Sequence, residues 1–387
     1  AVPSRRWHAV ALMNCEHFRA GRCHSCTELA QPYAMQLAGK LEHCRALLAS
    51  HASIDWLPPV ASVASGFRNK AKMVVSGSAA APILGIRDAA GDGVDLGDCP
   101  LYPASLHRCF PAIRAFISRA ALDPYDLQTR RGELKFVLLT EAPDGGLMLR
   151  FVLRSEAAIA RIRKHLPSLH GDLPQLQVVS ANLQPEHKAV LEGPREILLS
   201  AQPRLLLHLR PQSFFQTNTA VAAALYRQAR DWIDELQPAA VWDLYCGVGG
   251  FALHAARAGR RVTGIEIEAE AIASAELGRQ AAAQAGHAGA ASLSFVCADA
   301  AVWASAQATT APLVIVNPPR RGIGPVLADL LEHASDTRHV LYSSCNAESL
   351  ARDLAAMPSF TARLARVLDM FPQTRHYEVI VLLERSA

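Results

Sequence analysis

The sequence predicts an α/β protein whose C-terminal half is a Rossmann-like, mostly parallel sheet closed by an antiparallel hairpin. Three observations carry this. Beyond Pro211, short apolar strands alternate with helical stretches in the βαβ manner. The first of those strands breaks into Gly247, Gly249 and Gly250 before a helix opens. The last two strands, residues 360–369 and 376–384, are joined by a short turn containing Pro372, which favours antiparallel pairing. Ahead of this half, the pattern predicts a central α+β domain and, before it, a cysteine-rich segment.

At 387 residues the chain exceeds one ordinary core, so two or three domains are expected. The boundaries expected are 1–12 as an extension, 13–100 as the cysteine-rich region, 101–210 as the central domain and 211–387 as the catalytic domain. Hydrophobic residues at 50% and charged residues at 19% exclude a disordered chain. No apolar run is long enough to span a bilayer, so no membrane partner is expected. Residues 1–12 lack the long apolar region and small-residue cleavage site of a signal peptide, which makes a cytoplasmic location the expectation. In that compartment the nine cysteines are expected to be reduced, and their odd number and uneven spacing argue against a disulfide framework. A net charge of +4 permits an anionic partner without demanding one.

Cys15, Cys23 and Cys26 form a C-x7-C-x2-C group on a tight loop, and Cys99 follows the Gly/Asp-rich stretch 91–98. Convergent thiolates of this kind suit a structural zinc or an iron–sulfur cluster, and spacing alone does not separate the two. Cys44 and Cys109 lie in helix-like segments and read as core residues, and His24 reads as a solvated loop residue. From Val60 to about Arg210 the chain is strand-rich, with strands at 72–76, 134–140, 147–154 and 176–182 and helices at 103–121 and 156–165. Basic residues gather at Arg68, Lys70 and Lys72 and at Arg130, Arg131 and Lys135. They suit phosphate contacts as well as the guarding of an exposed strand edge.

In the C-terminal half the first strand is Val241–Leu244 followed by Tyr245-Cys246-Gly247-Val248-Gly249-Gly250. Glycines there let a ligand approach the backbone at a helix N-terminus. A second strand, 261–265, ends at Glu266, nineteen residues after Gly247, where a carboxylate accepts hydrogen bonds from ribose hydroxyls. The third, 293–297, ends at Ala298-Asp299, where an adenine edge is read. The fourth, 313–316, ends in Asn317-Pro318-Pro319-Arg320-Arg321. Glycines alone would allow a dinucleotide, but G-x-G-G with N-P-P points to S-adenosylmethionine, and the closing hairpin is the usual arrangement of methyltransferases. Finally, the strand Val340–Tyr342 runs into Ser343-Ser344-Cys345-Asn346, and a helix is expected over 346–354. Cys345 at a strand's carboxyl end, before a helix whose dipole favours a thiolate, reads equally as a nucleophile and as a buried thiol.

Taken jointly, these motifs resemble the bacterial RNA uracil-C5 methyltransferases, and within them the branch acting on uracil 747 of 23S ribosomal RNA. The motifs are the four cysteines, Phe67-Arg68-Asn69-Lys70, Arg210-Pro211-Gln212-Ser213-Phe214-Phe215-Gln216, the 243–250 loop, Asn317-Pro318-Pro319-Arg320, Tyr342 to Asn346, and His376-Tyr377-Glu378. The resemblance implies a four-iron, four-sulfur (4Fe–4S) cluster on Cys15, Cys23, Cys26 and Cys99. It implies S-adenosylmethionine contacts from Gln216, Tyr245, Glu266 and Asn317, with Cys345 as nucleophile and Glu378 as base. Phe214 matches a position that stacks on the target base, and Arg320 is expected beside substrate. On residues alone, Phe214 reads as core and Glu378 as a surface carboxylate paired with Arg375. Asn317 stands where other branches carry Asp, and an amide donates as well as accepts. There is no room for the N-terminal β-barrel of some relatives, so RNA binding, by a monomer, is expected of the cysteine-rich and central regions. Two rival readings are an amino-group methyltransferase acting on adenine or guanine and a non-catalytic iron–sulfur RNA-binding protein.

Overall fold

The computed structural model describes residues 12–51, 53–187, 191–193, 195–201 and 216–386. Phe214, residues 210–215 of its motif and residues 1–11 lie outside the described residues. The chain divides into two compact units, each discontinuous in sequence: Met13–Cys26 with Val63–Pro211, and Thr27–Ser62 with Gln212–Ala387. Residues 27–62, expected beside the cysteines, thus fold with the C-terminal half. One short strand of that half comes early in the chain, β1 (Asp55–Trp56).

The unit holding the cysteines is built on seven strands: β2 (Lys70–Gly77), β3 (Pro82–Arg87), β4 (Gly93–Asp95), β5 (Leu134–Glu141), β6 (Leu147–Leu153), β7 (Leu176–Leu183) and β8 (Arg195–Ala201). Their order is β4-β3-β2-β5-β6-β7-β8, antiparallel except for β6 and β7. The parallel pair needs a crossover, supplied by the helix Ile159–Asp172. In the helix Ala104–Arg119, Leu106, Cys109, Phe110, Ile113, Phe116 and Ile117 recur at helical spacing and are all buried. Phe116 stacks on Phe151 of β6, their centroids 5.4 Å apart. β6 is buried at every position, which places Arg150 in the core between Glu192 (2.7 Å) and Glu196 (2.9 Å). Strands β3, β4 and β8 were not legible in sequence. β4 is three residues within a turn-rich stretch, and the second helix continues past Pro167, which reads as a stop.

The other unit carries an eight-stranded sheet. Its further strands are β9 (Ala240–Leu244), β10 (Arg261–Glu266), β11 (Leu293–Cys297), β12 (Leu313–Val316), β13 (His339–Ser344), β14 (Phe360–Leu368) and β15 (Glu378–Arg385). The order is β1-β14-β15-β13-β12-β9-β10-β11. β9 to β13 are mutually parallel, and β15 runs antiparallel between β13 and β14, as the hairpin predicted. β12 is buried throughout, the continuous apolar run of a strand covered on both faces. The strand order reverses at β9 and β12, and the crevice beyond their carboxyl ends is where such sheets bind ligands. A helix at Thr219–Leu236, capped by Asn218 accepting from the Val221 N–H, packs beside β15.

The connection from β14 to β15, residues 369–377, is longer than a tight turn and is fastened from the helix Tyr33–Leu47. Lys40 Nζ donates to Asp369 Oδ1 at 2.6 Å and to the Phe371 carbonyl at 3.1 Å, both side chains being buried. Gln36 bonds the backbone and side chain of Gln373, and His43 Nδ1 meets Tyr377 Oη at 2.8 Å. This fixes the chain just before Glu378.

Candidate active site

The loop after β9 takes three left-handed residues in quick succession: Tyr245 (φ +63°), Gly247 (+54°) and Gly249 (+83°). At Gly249 a Cβ would stand 2.7 Å from Phe295 Cζ, so this glycine answers a close approach as well as its dihedral. Tyr245 adopts the conformation without that freedom, a strain that structures keep at ligand sites. Glu266, at the end of β10, accepts from the Gly247 N–H on Oε2 (3.1 Å) and from Ile267 and Glu268 N–H on Oε1 (2.8 and 3.1 Å). The carboxylate is thereby held against the glycine loop. Asp243 is wholly buried. One oxygen accepts from Ala252 N–H at 2.8 Å, the other has no partner among the described residues, and burial pushes its carboxyl up to about 8. Asn317 is half-buried at the end of β12, its N–H on the Leu244 carbonyl. Gln216 is half-buried shortly before the helix Thr219–Leu236. Asp299, exposed just past the end of β11, caps the helix Ala300–Ser305, its Oδ1 accepting from Ala301 and Val302 N–H.

Cys345 lies directly after β13, and the helix Ala347–Ala355 begins two residues on. Asn346 caps that helix through Glu348 N–H and donates Nδ2 to the Arg320 carbonyl at 3.0 Å, tying the loop after β12 to the loop that carries Cys345. The register of β13 on β15 pairs Ser343 with Ile380 and Ser344 with Val379, which brings Glu378 to the same sheet end as Cys345. Glu378 is buried, and Ser343 Oγ donates to its Oε1 at 2.6 Å. Burial pushes its carboxyl up to about 7 against the pull of that hydroxyl. It is therefore no surface carboxylate, and Arg375 pairs instead with Glu28 at 2.6 Å. The half-buried Cys345 thiol is pushed up by burial and then by Glu378, while Arg320 pulls it down. The helix expected to favour a thiolate is there, and burial and the neighbouring acid push the thiol the other way. Arg320 Nη2 donates to His376 Nδ1 at 2.8 Å. Ser343 and His376 were not singled out from sequence, since nothing in a serine pair or a lone histidine marks which one faces the reacting groups.

Cys15, Cys23, Cys26 and Cys99 line one cavity of about 130 Å³, together with His17, Arg68 and Lys72. Burial, then Cys99, Cys23 and Cys15, push Cys26 up to about 12, and Arg68 pulls the other way. No disulfide joins any of the nine cysteines; Cys44 and Cys109 are buried in the core and His24 is exposed, both as expected. His17 is buried, bonding Asp98 at 2.7 Å through Nε2, with no partner for Nδ1 among the described residues. Among the described residues no group of three or more His, Cys, Asp or Glu is placed to hold a metal ion.

A sequence model of the family described as tRNA (Uracil-5-)-methyltransferase matches residues 194–287 and 305–386. The 23S rRNA (uracil(747)-C(5))-methyltransferase RlmC of Edwardsiella ictaluri is 50% identical over 383 residues, covering 97% of this chain and 100% of that protein. The RlmC protein of Pectobacterium atrosepticum is 50% identical over 384 residues, with the same coverage. The chain belongs to the RNA uracil-C5 methyltransferase family. Its fold agrees with that of another uracil-C5 methyltransferase, the Pyrococcus abyssi tRNA (uracil-54, C5)-methyltransferase solved with S-adenosyl-L-homocysteine. That structure matches with a TM-score of 0.73 at 23% identity, over 92% of this chain and 85% of the other. For a uracil-C5 methyltransferase the arrangement is chemically coherent: a thiol, a buried acid and an arginine at the end of β13 and β15, with a glycine loop and a fixed carboxylate at the ends of β9 and β10 of the same sheet.

Proposed function

We propose that this uracil-C5 methyltransferase methylates C5 of uridine 747 in 23S ribosomal RNA, giving 5-methyluridine, and works in the cytoplasm. What carries the reading is the meeting of Cys345 and Glu378 at one sheet end, in a chain half identical to relatives named for that reaction. C5 of uracil is too weak a nucleophile to take a methyl group unaided. Cys345 Sγ adds to C6, and the electrons of the C5–C6 double bond move into the ring as an enolate. S-adenosylmethionine supplies the methyl group that C5 then takes. Glu378 removes the proton left on C5, the double bond re-forms and the Sγ–C6 bond breaks, returning the thiolate. Arg320, held by His376, favours the thiolate and the developing enolate charge beside it. The proposed cofactor contacts are Gln216, Tyr245, Glu266 and Asn317. Glu266 Oε2 carries a single backbone N–H, which leaves it lone pairs for ribose hydroxyls. Incubation with S-adenosylmethionine and 23S RNA lacking the modification, followed by mass-spectrometric mapping, should place 5-methyluridine at 747. Methyl elsewhere in the RNA would remove the target assignment, and none at all the activity.

The pH profile follows from the two acids. Glu378 accepts a proton only when ionised, above about 7, and Cys345 attacks only as thiolate, whose formation is shifted upward. Both requirements fail as pH falls, so kcat/KM should climb from pH 6 to pH 9. An optimum below pH 6 would contradict these roles.

For the four cysteines we propose a 4Fe–4S cluster: they line one cavity together, and a gathering of thiols is what such a cluster needs. Cys15, Cys23, Cys26 and Cys99 would hold it, and its role would be structural, ordering the loop for RNA. Cys26→Ser should abolish the cluster's visible absorbance and its iron content. Retention of both would sink the assignment.

A further inference from the structure

A second cavity, of about 340 Å³, lies in the unit of β2–β8 and has no part in the chemistry above. Its walls are apolar: half-buried Phe136 of β5, exposed Leu127, and Tyr125, whose ring lies 4.7 Å beneath the Lys135 ammonium. Two cations and a histidine rim it, and all are held by groups other than carboxylates. Lys135 Nζ donates to the Glu186 carbonyl at 2.7 Å. Arg87 donates to the carbonyls of Gly91 (3.0 Å) and Tyr125 (3.1 Å). His187 Nδ1 meets Tyr125 Oη at 3.1 Å. Burial, then Arg154, holds Lys135 below its usual range, and the exposed Glu186 carboxylate, which also lines the cavity, works the other way, though among the described residues neither cation forms an ion pair. Lysine has three donors and arginine five, so most remain unused by the described residues.

A dry wall edged with spare cationic donors suits a flat group bearing acceptors and a negative charge. Leu127 belongs to the loop that also exposes Arg130 and Arg131. That loop offers charge for the backbone on either side of such a group. Resting on the reading of the protein as an RNA methyltransferase, we propose that this cavity takes an unstacked nucleotide of the RNA other than the target uridine. The base lies against Phe136 and Leu127, and its phosphate meets Arg87 and Lys135. The contact anchors the RNA while Cys345 works on a different base in the other unit.

The test uses the full chain and two readouts that do not depend on each other. Leu127 is 48% exposed, so Leu127→Glu adds charge at the cavity mouth without disturbing the core. Filter binding of a 23S RNA fragment should weaken on the order of ten-fold, the scale of one lost base stack. KM should rise in step while kcat at saturating RNA stays unchanged. With 4-thiouridine in the RNA, the wild type should crosslink to peptides containing Tyr125, Phe136 or His187, and Leu127→Glu should not. Affinity within two-fold of wild type and no crosslink to these peptides would overturn the proposal. Unchanged affinity for naked RNA, with activity lost only on protein-bearing ribosomal particles, would make the occupant a protein and equally overturn it. Absence of methylation by the wild type would sink the functional reading alone, since binding and crosslinking still report on the cavity.

Discussion

Cys345→Ala should abolish uracil methylation, with kcat falling on the order of 10⁴-fold or more, the scale for removal of a covalent nucleophile. The substitution is small and at a half-buried position, so fold and S-adenosylmethionine binding should survive, as calorimetry would show. Single-turnover transfer of labelled methyl to RNA is the decisive measurement. Residual activity above about one per cent would remove Cys345 from the chemistry. It would also revive the amino-group reading, because methylation of an exocyclic amine needs no thiol. Loss of S-adenosylmethionine binding in the wild type would favour the non-catalytic reading instead.

Glu378→Gln should separate the two halves of the reaction. Addition of the thiolate and methyl capture at C5 need no base, whereas release of the thiolate does. The variant should therefore accumulate a denaturation-resistant protein–RNA adduct carrying the methyl group, with turnover reduced about 10²–10⁴-fold. Glutamine keeps the acceptor for Ser343, so the strand should remain in place. Removing the carboxylate also removes one of the influences pushing Cys345 up, and alkylation of that thiol should quicken. Undiminished turnover, or slow turnover with no adduct at any RNA concentration, would assign the proton to another group.

What sequence revealed best was whatever needed only a local pattern. The strand 293–297 and the strand 313–316 were readable to the residue, because each is a short apolar run between breakers. The glycine loop, Glu266 and Cys345 could be placed because a strand's carboxyl end is a defined spot in a parallel sheet. What was hidden depends on pairing across the chain. Glu378 looks like a surface residue until β15 is laid antiparallel on β13, and only then is it sealed next to Ser343. The part that Asp299 plays as a helix cap was hidden too, because it depends on where the next helix starts. The helix Tyr33–Leu47 gave no hint that Lys40 would meet Asp369, a partner more than three hundred residues away.

That last pairing bears on how the protein can be taken apart. A fragment beginning at Gln212 would contain Gln216, Tyr245, Glu266, Asn317, Arg320, Cys345 and Glu378. It would still lose β1 from the sheet edge and Lys40 from beside Asp369. Stripping one member from a buried ion pair costs about 3–5 kcal/mol, a large share of the roughly 5–15 kcal/mol that hold a domain together. The smallest piece that keeps this sheet and its buried ion pair whole is then two separate stretches of chain, 27–62 and 212–387, and chimaeras between relatives should keep both from the same parent.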